Sequence, residues 1–501
     1  MSSLIRRTEN SINLNDVLLQ YLISISRKLR AHTSCINALA FSSDTGGRFL
    51  ASGGDDLQIH LWDFHQEDVT EPCHTFIGPR SNIFSLEFSR SNHYLFAGGT
   101  DTMVHQFDVS RLDSGTLTRN DNLPMTMYRE NDTIREITCH PFQDEIFLSA
   151  SDSGRIITHD LRVNSSNNPI TRAADIIQLA TEVTSTKFHP TIEHLFITAD
   201  AKGNVCLRDT RMAFGPRKSR TNNGIVRSFC TTLAKRNIRN MSNPESSSVA
   251  FDREGKKIAV TFLHYYPTIY SVSDPYPIAI CTGRDTAESM LSQRTGYSNS
   301  CTIKHGCFGG PESVSDADYY CGGSDNFCAY LWKIPPVEHL IEQRGEIPAH
   351  EWRLEGSNTV GFAEGFESSK YVPAEISTPS SVTNPLINTT LIHPYFPMIL
   401  TAGIERTITL HSPFPSCPFS RQLSLTSQEV RQLPGSTTTE ESQVVDSLLL
   451  GLDPADRDNP DEAEIDTIRL FDRILRMEGE ADPFDVRDWV QAPDNLDQEN
   501  T

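Results

Sequence analysis

A fourteen-residue pattern, written seven times, confines this chain to a repeat architecture. Its best copy is FLSASDSGRIITHD, Phe147 to Asp160, inside the stretch His140 to Arg162. Phe147 to Ala150 is apolar and small, Asp152, Ser153 and Gly154 carry turn chemistry, and Ile156, Ile157 and Thr158 are β-branched. That order spells two strands around a tight turn. The same plan recurs as LASGGDDLQIHLWD (Leu50 to Asp63), LFAGGTDTMVHQFD (Leu95 to Asp108), FITADAKGNVCLRD (Phe196 to Asp209) and YCGGSDNFCAYLWK (Tyr320 to Lys333). Two weaker copies run through Tyr270 in IAVTFLHYYPTIYS and His411 in ILTAGIERTITLHS.

Trp62 and Phe107, at equivalent places in the first two copies, are 45 residues apart. A period of roughly 40 to 45 residues is that of WD40 blades, and seven copies predict an all-β, seven-bladed WD40 β-propeller. Each copy is preceded by another alternating segment: CINALAF, NIFSLEF, EITCHP, STKFHP and TTLIHP supply the first strands. The array is expected over residues 32–413, with a helical segment in 1–31 and an acidic, mostly disordered tail in 414–501. Two long insertions interrupt it. Residues 212–244 hold seven Lys and Arg and no acidic residue, and read as a solvated loop or, less simply, a site for an acidic ligand. Residues 335–385 become rich in Ser, Thr and Pro and read as an exposed or disordered loop.

Both ends carry apolar periodicity. Leu18, Leu22, Ile25 and Leu29 follow helical spacing within DVLLQYLISISRKLR, with Asn15 or Asp16 as N-cap, so a short amphipathic helix is expected there. Its apolar face serves equally for packing on the propeller or for docking into a partner's groove. In the tail, VVDSLLLGL and DTIRLFDRILRM interrupt the acidity. Ile468, Phe471, Ile474 and Leu475 suit a helix over 466–477, formed on the propeller or on a partner, in a segment that otherwise serves as a solvated tail.

Of the formal charge of −21, residues 435–501 contribute −14 through 19 acidic residues against 5 Arg. Such acidity argues against sequence-independent nucleic-acid binding. No apolar run reaches the length of a membrane span, and the polar residues between Glu9 and Asp16 break any secretory core. Eleven cysteines, scattered singly and without a CxxC pair, predict reduced thiols and hence cytosol or nucleus.

Catalytic patterns are missing from the sequence: it contains no GxxxxGK[ST], GxSxG or HExxH, and in HEWRL, Leu354 stands where a second zinc-binding His belongs. Cys301, His305, Cys307, Cys321 and Cys328 form a denser cluster, but their scatter along strands suits buried thiols better than one metal tetrahedron. No cofactor, metal or catalytic residue is implied. The informative signal is Asp-x-Arg at two consecutive blade ends, Asp160-Leu161-Arg162 and Asp209-Thr210-Arg211. Each Asp is placed to orient its neighbouring guanidinium, which either fixes two Arg side chains on one rim or makes two ordinary intrablade salt bridges.

These motifs, with SGGDDLQIHLWDF, SDSGRIITHDLR, GYSNSCTIKHGCF and CGGSDNFCAYLWKIP, resemble the WD40 substrate receptors of cullin-4 RING ubiquitin ligases, in their associated-factor-five branch. The likeness spans most of the repeat array. It implies a non-catalytic subunit that presents a protein substrate and binds a β-propeller adaptor, the large subunit of the damaged-DNA-binding protein. By that resemblance Asp160, Arg162, Asp209 and Arg211, with Leu18, Leu22, Ile25 and Leu29, form the adaptor contact. His159 and Arg208 depart from the family's motif, which has Trp at both places. The rival reading is a propeller scaffold in a chromatin or other assembly without a ligase role.

Overall fold

The computed structural model describes residues 25–66, 68–111, 122–163, 172–236, 240–283, 296–310, 318–352, 359–377, 381–383, 387–412, 424–425, 431, 460–478 and 483–484. Each fourteen-residue copy becomes the second and third strands of an antiparallel blade. In blade one, Phe49–Gly54 pairs with Gln58–Asp63, setting Leu50 opposite Trp62. The preceding alternating segment adds the first strand, Ile36–Phe41, and His74–Ile77 adds the fourth. Blades two to six follow this order, and blade six takes its fourth strand, Ser381–Thr383, from the far end of the long insertion. The first strands of successive blades are neighbours around the ring, so they line the central channel.

The ring closes where the sequence predicts a helix. Residues Ile25–Arg30 form a strand that pairs antiparallel with Thr407–Ser412, from Ile25 opposite Ser412 to Arg30 opposite Thr407, and so complete blade seven. The helix expected through Ile25 and Leu29 is therefore corrected at both residues; Leu18 and Leu22 lie outside the described residues. A spacing of four fits one helical turn, but it also fits period two, and here Arg27 and Leu29 turn inward while Lys28 and Arg30 face out. Pairing wins because the last strand of blade seven otherwise leaves a row of backbone donors and acceptors open. Leu29 is buried with Leu410, Ile408 and Trp62 between blades seven and one.

Three junctions between blades are also latched by a histidine that directly follows a first strand. His140 and His189 donate from Nε2 to the carbonyls of Glu193 and Gly255 in the next blade, at 3.0 and 2.9 Å, and His393 bonds the backbone of Gly47 across the closure. Each Nδ1 accepts backbone N–H groups of its own turn, as His393 does from Tyr395 and Phe396 at 3.1 and 3.0 Å. The bonds require neutral imidazole, since a proton on Nδ1 would confront those donors. Gly47 and Gly255 are left-handed, at φ +75° and +71°, and a Cβ there would meet the His393 or His189 ring within 2.9 and 2.2 Å.

The insertions are not merely loops. Leu233–Lys235 and Met241–Ser242 join Val360–Phe362, Lys370–Val372 and Gly345–Ile347 in a separate five-stranded sheet. Ala374–Ser377 then adds a parallel strand to blade five, and Val337–Gln343 is a helix. The Ser/Thr/Pro composition hid Phe362, which is fully buried against Leu233 and Ile280. The tail contributes a helix, Pro460–Glu478, longer than the 466–477 expected, and its apolar face lies on the propeller; VVDSLLLGL lies outside the described residues.

Two outcomes follow from the closure and the latches. Leu29→Asp places a charge in the seam between first and last blades and should lower the unfolding free energy by about 3–5 kcal/mol in urea titration. On an exposed helix the same change would be nearly neutral. Burial, first of all, pushes the His393 imidazole down to about 4 from an ordinary 6.5. The unfolded chain then binds the proton first, so this contribution is complete above about 6.5 and is lost as pH falls toward 4. Because half-buried Asp55 and buried Asp252 are shifted upward by desolvation and oppose the trend, the measurement is a comparison. His393→Gln should flatten the fall in stability between pH 6.5 and 4 relative to the parent chain.

Candidate binding rim and its supporting networks

Strand direction divides the propeller into two faces. The turns after first and third strands share one face, and the turns after second strands share the other with the links between blades. Both Asp-x-Arg motifs follow third strands, of blades three and four. Asp160 and Asp209 are the last residues of their strands, so the motif is not two residues of one strand face as the sequence suggests. Instead the chain turns, and the backbone N–H of Arg162 and of Arg211 donates to the Oδ1 of its Asp at 3.0 and 2.9 Å. Each guanidinium folds back on the same carboxylate: Arg162 reaches Asp160 through Nε and Nη2 at 2.9 Å each, and Arg211 reaches Asp209 at 3.0 and 2.7 Å.

This two-pronged clamp removes much of the rotational freedom of a long side chain before any partner arrives. The guanidinium hydrogen bonds hold both carboxyls below their ordinary pKa. The arginine side chains remain 56 % and 67 % exposed. They stand on the rim as oriented cations with free edges.

Sequence reasoning missed a third pair. Asp63, at the same place in blade one, is clamped by Arg48 through Nε and Nη2 at 3.0 and 2.9 Å. Arg48 immediately precedes the second strand rather than following the third, so no Asp-x-Arg spacing betrays it. It is less exposed than the other two and lies over the Phe49 ring. Also unforeseen are the apolar side chains beside the arginines: Phe142, Val163 and Ile192 are about half exposed in turns on the same face. The His140 latch onto Glu193 joins the Phe142 turn to the Ile192 turn, so blades three and four present one continuous surface.

Beneath the rim, each blade fills the position opposite the start of its second strand. In blade one that residue is Trp62, whose Nε1 donates to Ser52 Oγ at 3.0 Å. Ser52 is also 2.8 Å from His32 Nε2, and His32 Nδ1 is 2.9 Å from Asp56. Asp56 completes this network, while its neighbour Asp55 accepts from Asn37. In blade three His159 stands there, stacked on Phe147 at 4.3 Å between ring centroids. Its Nε2 lies 2.8 Å from Ser149 Oγ, and Ser149 donates to buried Glu130. In blade four Arg208 donates to Thr198 at 2.9 Å and to the carbonyl of Asn223 at 2.8 Å. The two departures from Trp thus keep the hydrogen bond to the second-strand hydroxyl, and the support under Asp160 and Asp209 is intact.

The central channel, about 1380 Å³, opens on the rim face. Within it Lys187 lies 2.9 Å from Glu136 and 3.4 Å from Glu87. Burial pushes Cys307 and Cys301 up to about 12, and Cys321 also rises, which keeps these thiols protonated and poorly nucleophilic. The cysteine cluster does not gather into a ligand set. Among the described residues the three groups that come within 4.8 Å are His32, Asp56 and His60. Both His32 nitrogens there serve the blade-one network, and His60 Nδ1 is 2.9 Å from Thr75.

Comparison with known proteins agrees with the blades. Residues 23–63 and 70–108 match the family "WD domain, G-beta repeat", and the first match takes in the closing strand. The chain is 26 % identical over 395 residues, 78 % of its length, to DDB1- and CUL4-associated factor 5 of Mus musculus and of Homo sapiens. The aligned part is 34 % of either relative, so the chain spans about a third of their length. It is also 30 % identical to Protein ALTERED SEED GERMINATION 2 of Arabidopsis thaliana, over 29 % of this chain and 19 % of that protein. The chain folds as a β-propeller with WD40 repeats matched in its first two blades, and it is similar over most of its length to DDB1- and CUL4-associated factor 5.

Proposed function

We propose that this chain is a non-catalytic substrate-recognition subunit of a cullin-4 RING ubiquitin ligase. The rim of blades three and four binds the propeller adaptor, the large subunit of the damaged-DNA-binding protein, and the rest of the surface presents a protein substrate. The observation that carries the reading is the pair of clamped, exposed arginines, Arg162 and Arg211, on one continuous face with Phe142, Val163 and Ile192. Oriented guanidinium groups beside exposed apolar side chains are the composition of interface hot spots. The names of the relatives support the choice of partner. The segment with Leu18 and Leu22 is assigned to the same contact on family likeness. Leu29 is not, since it is sealed inside the closing seam. The ligase reading places the protein in the nucleus, the cytoplasm or both.

Arg162→Ala combined with Arg211→Ala should weaken capture of the adaptor on the order of tenfold or more, while the thermal midpoint of the propeller stays put. Phe142→Asp should weaken capture by a similar factor, because it removes an apolar anchor from the same face. Adaptor and cullin-4 would be quantified after affinity capture of the full chain. Undiminished capture, or no capture by the parent chain, would reject the reading in favour of a scaffold without a ligase role.

A further inference from the structure

The face opposite the arginine rim is occupied by the chain's own C-terminal helix, Pro460–Glu478. Its seat is built from residues at the second-strand turns and the links between blades. Cys35 precedes blade one, Cys301 precedes blade six, and Phe327 and Ile404 lie in the turns of blades six and seven. Leu475 is buried in this seat, with Ile468 and Phe471 packed against it, a spacing of seven residues along one side of the helix. Charges flank the apolar line. Glu464 accepts from the Arg406 guanidinium at 3.0 Å, and Asp472 takes both prongs of Arg431 at 2.8 and 2.6 Å. Arg431 in turn lies over the Phe327 ring, 5.0 Å from its centroid.

Phe327 is the most telling residue of this seat. Its backbone is left-handed, φ +64°, at the turn position that Leu57 and Thr102 hold with similar φ in blades one and two and that Gly154 and Gly203 occupy in blades three and four. Here its ring forms the floor on which both Arg431 and the helix rest.

The helix is nevertheless not a structural part of any blade. No strand pairs with it, one residue of its apolar line is fully buried, and Ile465 and Met477 remain exposed. Its two buried carboxylates, Asp466 and Asp472, give up solvation to sit there, which offsets part of what their ion pairs contribute. Residues 426–459, 34 in all, separate it from Ser424–Leu425, the outermost strand of the blade-seven sheet, so it is held as a tethered ligand through the chain and through its own contacts, that with Arg431 included.

We propose that this groove is a binding site for an acidic amphipathic helix of a partner protein, with the chain's own helix 460–478 occupying it in cis until such a partner displaces it. The partner helix carries apolar residues at the spacing of Ile468, Phe471 and Leu475. It also carries carboxylates eight residues apart, as Glu464 and Asp472 are, one for Arg406 and one for Arg431. The proposal stands on the groove alone and does not depend on the adaptor reading.

The test uses a fluorescent synthetic peptide of residues 460–478 as probe, against the full chain and its full-length Leu475→Asp variant. Leu475→Asp should release the resident helix, so the peptide should bind the variant at least about tenfold more tightly than the parent chain. Adding Phe327→Ala or Arg406→Glu to that variant should abolish the gain. Equal binding to both chains, or binding to neither, would overturn the proposal. If Leu475→Asp does not fold, Glu464→Lys, which breaks only the pair with Arg406, takes its place. Loss of cooperative unfolding in both variants would show the helix to be an integral support of the propeller, and the proposal would fail.

Discussion

Everything in this propeller hangs on six residues pairing with the far end of the chain. Strand Ile25–Arg30 meets strand Thr407–Ser412 across nearly the whole sequence, and without it blade seven ends in an open edge. A ring of sheets tolerates no such edge, because unpaired backbone groups are either solvated at the expense of the seam or left to recruit another chain. The loop closed by this pairing is as long as the propeller itself, but loop entropy grows only logarithmically with length. The seam beneath it, with Leu29, Trp62, Leu400 and Leu410 in one cluster, is large enough to outweigh that cost.

Closure also explains why the histidine latches matter beyond their individual bonds. Blades in contact only through apolar side chains could slide, since hydrophobic contact has no direction. A neutral imidazole bonded at both nitrogens fixes the height of one blade against the next, and the glycines at 47 and 255 make room for it. Rim geometry inherits that precision. Arg162 and Arg211 sit on different blades, and the His140 latch spans the junction between them.

The two faces that result are chemically different. One is a rim of oriented cations and half-exposed apolar residues around the channel mouth. The other is covered in part by an acidic helix resting on Phe327 and Arg406.

The fourteen-residue copies determined the blades, because strand, turn and strand are local patterns that each segment satisfies by itself: Asp152 to Gly154 turns as its composition demands. The Asp-x-Arg pairs were legible for the same reason, being contacts between residues two apart. Arg48 was not, since its partner Asp63 is fifteen residues on and lies opposite the neighbouring Phe49 across a strand pair rather than beside Arg48 in the chain. Nor were Phe142 and Ile192, whose exposure is a property of the folded surface. Only tertiary structure decided the fate of Ile25 and Leu29, for a four-residue spacing is common to helix and strand. It likewise decided that a polar-looking insertion holds a sheet, and that the tail helix lies on the propeller. In each case the deciding partner lies far away in sequence, at Thr407–Ser412, at Leu233 and at Phe327, and no local periodicity carries that information.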